Sequence, residues 1–216
     1  MPGTIDAQTL APTSRKTHRR LGISLVAVQL AAVTFVAVAA LPYLALDQNQ
    51  FAGYWPRRWW LLLHVVTGIV ALLSGPMQLW LGITDTRPAL HRRLGLTYVT
   101  SVAVSAATAY YLALNTDFGW AFGTGLAGLA TAWLITTGLA LVAIRRHLYD
   151  QHKEWMIRSY VVTTAFVSFR LLFPALQATG TGTVSEQLAL ASWVSWAVPL
   201  LVTEAILQGR KIFAST

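Results

Sequence analysis

The chain has 216 residues, of which 55% are apolar and 11% charged, with a net charge of +8 and a mean hydropathy of +0.54. Ordinary soluble domains carry about 25% charged residues, so this composition excludes a water-soluble globular enzyme and a disordered tail. The absence of cysteine excludes disulfides, thiolate metal sites, iron–sulfur clusters and c-type haem attachment.

Residues 1–20, with Pro2, Gly3, Pro12 and several Ser and Thr, read as a flexible arm. Uncharged runs then cover residues 21–46, 59–84, 94–116 and 118–144. Each exceeds the about 20 helical residues that cross a bilayer core. Arg19 and Arg20 ahead of the first run, with Ala37-Val38-Ala39 inside it, loosely resemble an export signal. The run is far longer than a signal core, so it reads as an uncleaved anchor. Segment one ends near Pro42. The loop from Asp47 to Arg58 follows, and Tyr54, Trp55, Trp59 and Trp60 read as an aromatic belt at the headgroups. Segment two runs from Trp59 to about Gly82, and His91-Arg92-Arg93 opens segment three. A tight turn at 115–117 leads into segment four, which returns to Arg145. Segment five begins near Trp155 and carries Arg170, and turn-forming residues 180–186 precede segment six at about 187–207. Pro199 predicts a kink there.

The expected fold is therefore all-α, a polytopic six-helix bundle over residues 21–209 with a short tail at 210–216. Thirteen Lys and Arg residues fall at the N-terminus, the second-to-third and fourth-to-fifth connections and the tail, against Arg57 and Arg58 on the other side. Positive charge stays cytoplasmic, so both termini are expected in the cytoplasm and the protein in the inner membrane. The basic balance encodes orientation and implies no nucleic-acid partner. His64, Thr67, Gly68, Ala71, Gly75 and Gln78 recur at helical spacing on segment two. Thr97, Ser101, Ser105 and Thr108 do so on segment three, and Gly119, Gly123 and Gly128 mark segment four. Small residues mark close helix contacts in lipid, which assigns the core to segments two to five.

The polar residues inside these runs carry what functional signal there is. Arg170 lies about 22 Å along segment five from Trp155, and a charge at such depth faces a partner or a wet cavity. No acid shares its level. His64, about 8 Å inside segment two, is its candidate partner by depth, with an anion or a quinone headgroup between them; alternatively His64 simply donates across helices. Alternatively Arg170 snorkels outward or bonds backbone carbonyls of a helix broken near Pro174. His152, Ser159, Thr163, Arg170 and Gln177 form one stripe on segment five, which fits either a polar path or interhelical hydrogen bonding. At the inner end His91 and His152 each open a helix and are followed by cations. Two such histidines suit the axial ligands of a haem b, with Arg92, Arg93 and Arg158 neutralising its propionates. They also suit a divalent metal shared with Asp85, Asp150 or Glu154. His147 is a third candidate, and Glu204 is expected to pair with Arg210 or a segment-five cation.

Two stretches, one from His64 through Gly75-Pro76-Met77-Gln78 to His91-Arg92-Arg93-Leu94-Gly95 and the other from His152-Lys153-Glu154-Trp155 to Arg170, resemble a bacterial family. Its members are predicted multi-pass membrane proteins known only as a domain of unknown function. The resemblance covers about residues 55–175 and marks His64, His91, His152, Arg158 and Arg170. The first stretch is also similar, more weakly, to ascorbate-reducible diheme b-type cytochromes, but segment four has no histidine to pair with His64. The leading expectation is a small redox or cofactor-binding membrane protein with a single haem at His91 and His152 and an outer site at His64 and Arg170. The alternatives are a small-anion or proton transporter lined by the segment-five stripe, and a scaffold that joins a membrane-complex partner through segments one and six.

Overall fold

In the computed structural model, which describes residues 11–84 and 86–214, every regular element is helical. The first segment is α1 (Ala11–Phe35), continued by a π turn (Val36–Ala40) and a 3₁₀ turn (Leu41–Ala45). A short helix α2 (Gln48–Phe51) and a 3₁₀ turn (Ala52–Arg57) lead into α3 (Arg58–Thr84). Then come α4 (Pro88–Leu114), α5 (Trp120–Arg145), α6 (Tyr149–Thr163), α7 (Ala165–Thr179) and α8 (Val184–Ala214). Six of the resulting segments are long and apolar enough to cross a membrane, and an even number of crossings brings both termini to one end. The opposite end is called distal below. Large aliphatic side chains such as Leu30, Val38, Leu96, Leu171 and Leu201 are exposed around the bundle, as a lipid-facing surface requires. The protein is thus a multi-pass all-α membrane protein.

The small-residue stripes are the seams of the bundle. Gly68, Ala71, Gly75 and Gln78 of α3 are buried, as are Ser101, Ser105 and Thr108 of α4. Thr97 departs from its stripe: it is exposed and its hydroxyl bonds back to the Arg93 carbonyl at 3.1 Å. A side chain on Gly125 would run into Ser192 of α8, and one on Gly123 would sit 2.7 Å from the Ala113 carbonyl of α4. Side-chain-free backbone at these points lets three helices approach at van der Waals distance, the source of helix association in lipid. Ala71, Leu72, Tyr98, Val102, Ala106, Ala130, Trp133 and Val162 make the central core.

Two local departures from regular helix matter for the site. Pro42 has no amide N–H to return to the preceding turn, and α1 gives way there to π and then 3₁₀ winding that turns Tyr43 into the bundle. Segment five begins at Tyr149, earlier than Trp155, and changes course at Thr164 between α6 and α7. The Thr164 hydroxyl bonds the Val161 carbonyl at 2.8 Å, a local bond that competes with the helix ladder. Pro174 lies within α7, whose helix runs on past it, and α8 likewise continues through Pro199.

Candidate functional site: a distal cavity

The connection between α1 and α3 folds over the distal end. Phe51 is 1% exposed and meets the rings of Tyr43 and Trp55 edge-on, with centroids 5.3 and 5.8 Å apart. Arg57 pairs with Asp117 at 3.0 Å, and the Tyr54 hydroxyl lies 3.2 Å from that of Thr116. Trp59 and Trp60 are exposed, as headgroup-level aromatics should be, whereas Tyr54 faces inward. The loop is therefore a packed cap.

Beneath it lies a cavity of about 250 Å³. Its wall is mostly hydrocarbon, from Phe35, Ile69, Phe122, Leu126, Trp133, Phe166 and Phe169, and its polar side chains are Tyr43, Tyr54, His64, Ser105, Thr163 and Arg170. His64 and Arg170, paired in the sequence by depth alone, line this one space.

The imidazole of His64 is held from one side. Its Nδ1 is 2.9 Å from the Ser105 carbonyl and 3.0 Å from the Ser105 hydroxyl oxygen. A carbonyl only accepts, so Nδ1 carries the proton. The Ser105 hydroxyl returns a bond of 3.2 Å to the His64 carbonyl, so α3 and α4 are clasped at this level. Nε2 makes no hydrogen bond to any described residue.

Arg170 donates from Nη2 to the Tyr43 hydroxyl at 2.6 Å, with its guanidinium carbon 5.6 Å from the centre of that ring. Arg170 is exposed at the bundle surface as well as lining the cavity, and among the described residues no carboxylate pairs with it. A phenol satisfies one donor of five and leaves the charge uncompensated. The site thus offers a cation, an imidazole nitrogen and two phenols in an apolar wall.

The floor of the cavity is a closed hydrogen-bond network. Tyr98, fully buried, places its hydroxyl 2.7 Å from those of both Ser159 and Thr163. The Trp133 indole donates to Thr163 at 2.9 Å, and Thr137 meets Ser159 at 2.7 Å. The middle of the segment-five stripe is therefore engaged in interhelical bonds with α4 and α5, with Thr163 shared between network and cavity wall.

The inner residues are distributed differently. The His91 ring lies against Gly82 of α3, where an added Cβ would be 3.2 Å from its Cε1. His152 turns to α5 and donates from Nδ1 to the Ala140 carbonyl at 2.9 Å. The His91 ring thus packs on α3 and the His152 ring on α5, although α6 itself touches α3 as well as α5 and α8. Arg158 is buried and fully engaged: Glu204 at 2.6 Å, Glu154 at 3.5 Å and the Trp155 ring at 4.6 Å. Lys211 adds a bond to Glu154 at 2.8 Å. Glu204 pairs with the segment-five cation, one of its two expected partners. Arg92 and Arg93 are exposed, as is His147, whose Nδ1 is 3.4 Å from the Tyr149 hydroxyl. Asp85 lies outside the described residues. Among those described, no three His, Cys, Asp or Glu residues converge as a metal site.

Tyr43 and Tyr54 were invisible as site residues in the sequence. Their signal was indirect: Pro42 one residue before Tyr43, and too many aromatics in a loop for a belt alone.

The family described as predicted membrane protein (DUF2306) matches residues 61–207, about two thirds of the chain. That stretch contains His64, His91, His152, Arg158 and Arg170, whereas Tyr43 and Tyr54 precede it. No curated protein and no solved structure matches the chain, so the likeness to diheme cytochromes gains no support from these comparisons. The chain belongs to the DUF2306 family of predicted membrane proteins.

Proposed function

We propose that this protein is a small cofactor-binding membrane protein of redox type, whose working site is the distal cavity and whose ligand is the headgroup of a quinone. The observation that carries this reading is the meeting of His64 and Arg170, more than a hundred residues apart in sequence, on one apolar cavity with unused hydrogen-bonding capacity. Small-molecule sites are mostly apolar with a few placed polar groups. At about 250 Å³ the space is just under the about 300–1,000 Å³ of pockets for drug-sized ligands, which suits one substituted ring. Aromatic walls suit its faces, and Arg170 suits an oxygen that carries partial negative charge. The lipid around the bundle is where such a ligand dissolves. On the charge asymmetry of the connections, the distal end faces away from the cytoplasm and the membrane is the inner one.

The polar wall would also accept a small anion. An anion-transporter reading, however, needs an open path through the bundle, and the fully buried hydroxyls of the Tyr98 network occupy its middle. A haem at His91 and His152 has one favourable feature, since His152 donates from Nδ1 and keeps Nε2 free as a ligand would. Against it stand the separate seams of the two rings and the engagement of Arg158 with two carboxylates. Reduced-minus-oxidised absorption spectra of the purified protein decide that reading. Colourless protein is expected, and a Soret band with sharp α and β bands lost in His152→Ala would restore the haem.

Organic extraction of the protein purified in mild detergent tests the quinone site. The expected result is a quinone in near-equal amount to protein, absent from Arg170→Gln purified in parallel. Equal traces in both would count against the site.

A further inference from the structure

We infer that the distal cavity distinguishes the two redox forms of its ligand and binds the reduced, hydroxyl-bearing ring through His64 Nε2; this rests on the headgroup reading above. The Ser105 carbonyl fixes the proton of the imidazole on Nδ1, at 2.9 Å. No carboxylate lines the cavity to balance a second positive charge on the wall that His64 shares with Arg170, so the ring that fits there is the neutral one. In that tautomer Nε2 presents a lone pair and no hydrogen.

A quinone has two carbonyl oxygens, which only accept. One of them is matched by Arg170, but the other has nothing to receive from Nε2, and two acceptors brought together in an apolar wall lose hydration without return. A hydroquinone carries an O–H at each end. It donates one to His64 Nε2, while the oxygen of the other accepts from Arg170. The titratable and charged groups on the cavity wall are Tyr43, Tyr54, His64 and Arg170. Tyr43 accepts from Arg170 and keeps its own O–H to donate, which serves a carbonyl and a hydroxyl oxygen alike, and Tyr54 lies against Thr116; the ring nitrogen Nε2 is the acceptor that only a hydroxyl-bearing ligand can pair. Sites built to hydrogen-bond a hydroxyl reject analogues that lack it, because their own buried group is left unpaired.

The test is a set of anaerobic titrations of the full-length protein in detergent with a short-chain benzoquinone, its hydroquinone and the hydroquinone dimethyl ether. The hydroquinone is expected to bind about tenfold or more tighter than either other form, the scale of one well-placed hydrogen bond to a buried acceptor. In His64→Leu the three affinities are expected to converge. The dimethyl ether makes the comparison within the wild-type protein, so the inference stands open to refutation even if the variant does not fold. Equal binding of quinone and hydroquinone by the wild type would overturn this inference and leave the headgroup site in place, as would a preference that survives in a folded His64→Leu. Failure of all three to bind would overturn the headgroup reading and this inference with it.

Discussion

Tyr160 seats its ring on Gly75 so closely that any Cβ there would overlap it. Its hydroxyl donates to the Leu72 carbonyl at 3.3 Å, the group to which Pro76, four residues on, supplies no helical N–H. Gly75-Pro76 is thus a docking notch, one residue admitting the ring and the next freeing an acceptor for it. Gly75→Leu is expected to lower the thermal unfolding midpoint in detergent markedly, at an overpacking cost of about 1–3 kcal/mol. Tyr160→Phe should cost less, about 0.5–1.5 kcal/mol. A Gly75→Leu protein as stable as the wild type would show that this seam is not tightly packed. Gly75 was legible as a small-face residue, but its partner was not, because helical periodicity gives a face and never names what lies across from it. The same limit applies to Arg170. Its depth and want of an acid were plain in the sequence, while Tyr43 depends on the change of helical winding at Pro42, which no periodic pattern records.

At the scale of elements, six crossings followed from the lengths of the uncharged runs, because a bilayer sets a minimum length that loops do not meet. The turn at Thr164 did not follow, since Thr163 and Thr164 fit a helix as well as a break and Pro174 looked the stronger candidate. Nor could sequence decide where His91 and His152 turn, since two residues at equal depth share a site only if their helices share a seam. The inner end of α6 is tied to α8 by Arg158 and Glu204 at 2.6 Å, with Glu154 and Lys211 completing the cluster. Arg158 is buried while the Glu204 side chain is 42% exposed, so this tie falls between a surface pair and a buried one. Arg158→Leu is expected to destabilise by about 1–3 kcal/mol, and a double-mutant cycle with Glu204→Leu should return a favourable coupling. Strict additivity of the two would mean that the pair contributes nothing to joining the helices.

For the whole molecule, the charge asymmetry of the connections predicts both termini in the cytoplasm, and the chain's lack of cysteine makes this direct to check. A single cysteine at Asn49 or Thr181, both exposed at the distal end, should react in intact cells with an impermeant maleimide. One at Leu148, exposed at the opposite end, should react only after lysis; the reverse pattern would invert the orientation. The architecture was readable because lipid imposes one rule on every segment. The cavity was readable only in part, for its floor and cap come from residues whose polar atoms are one hydroxyl or indole each, inside otherwise apolar side chains such as Trp133, Tyr98 and Tyr54.

The most direct test of the central claim, that His64 and Arg170 build one ligand site, is calorimetric titration of a short-chain benzoquinone or its hydroquinone into wild-type, His64→Leu and Arg170→Gln protein in one detergent. Saturable binding near one ligand per protein is expected, with the affinity for the hydroquinone reduced in both variants and about tenfold or more in Arg170→Gln, as for loss of a charged hydrogen-bond donor. Saturable binding that neither substitution alters would place the ligand elsewhere, and no saturable binding of either form to the wild type would contradict the account.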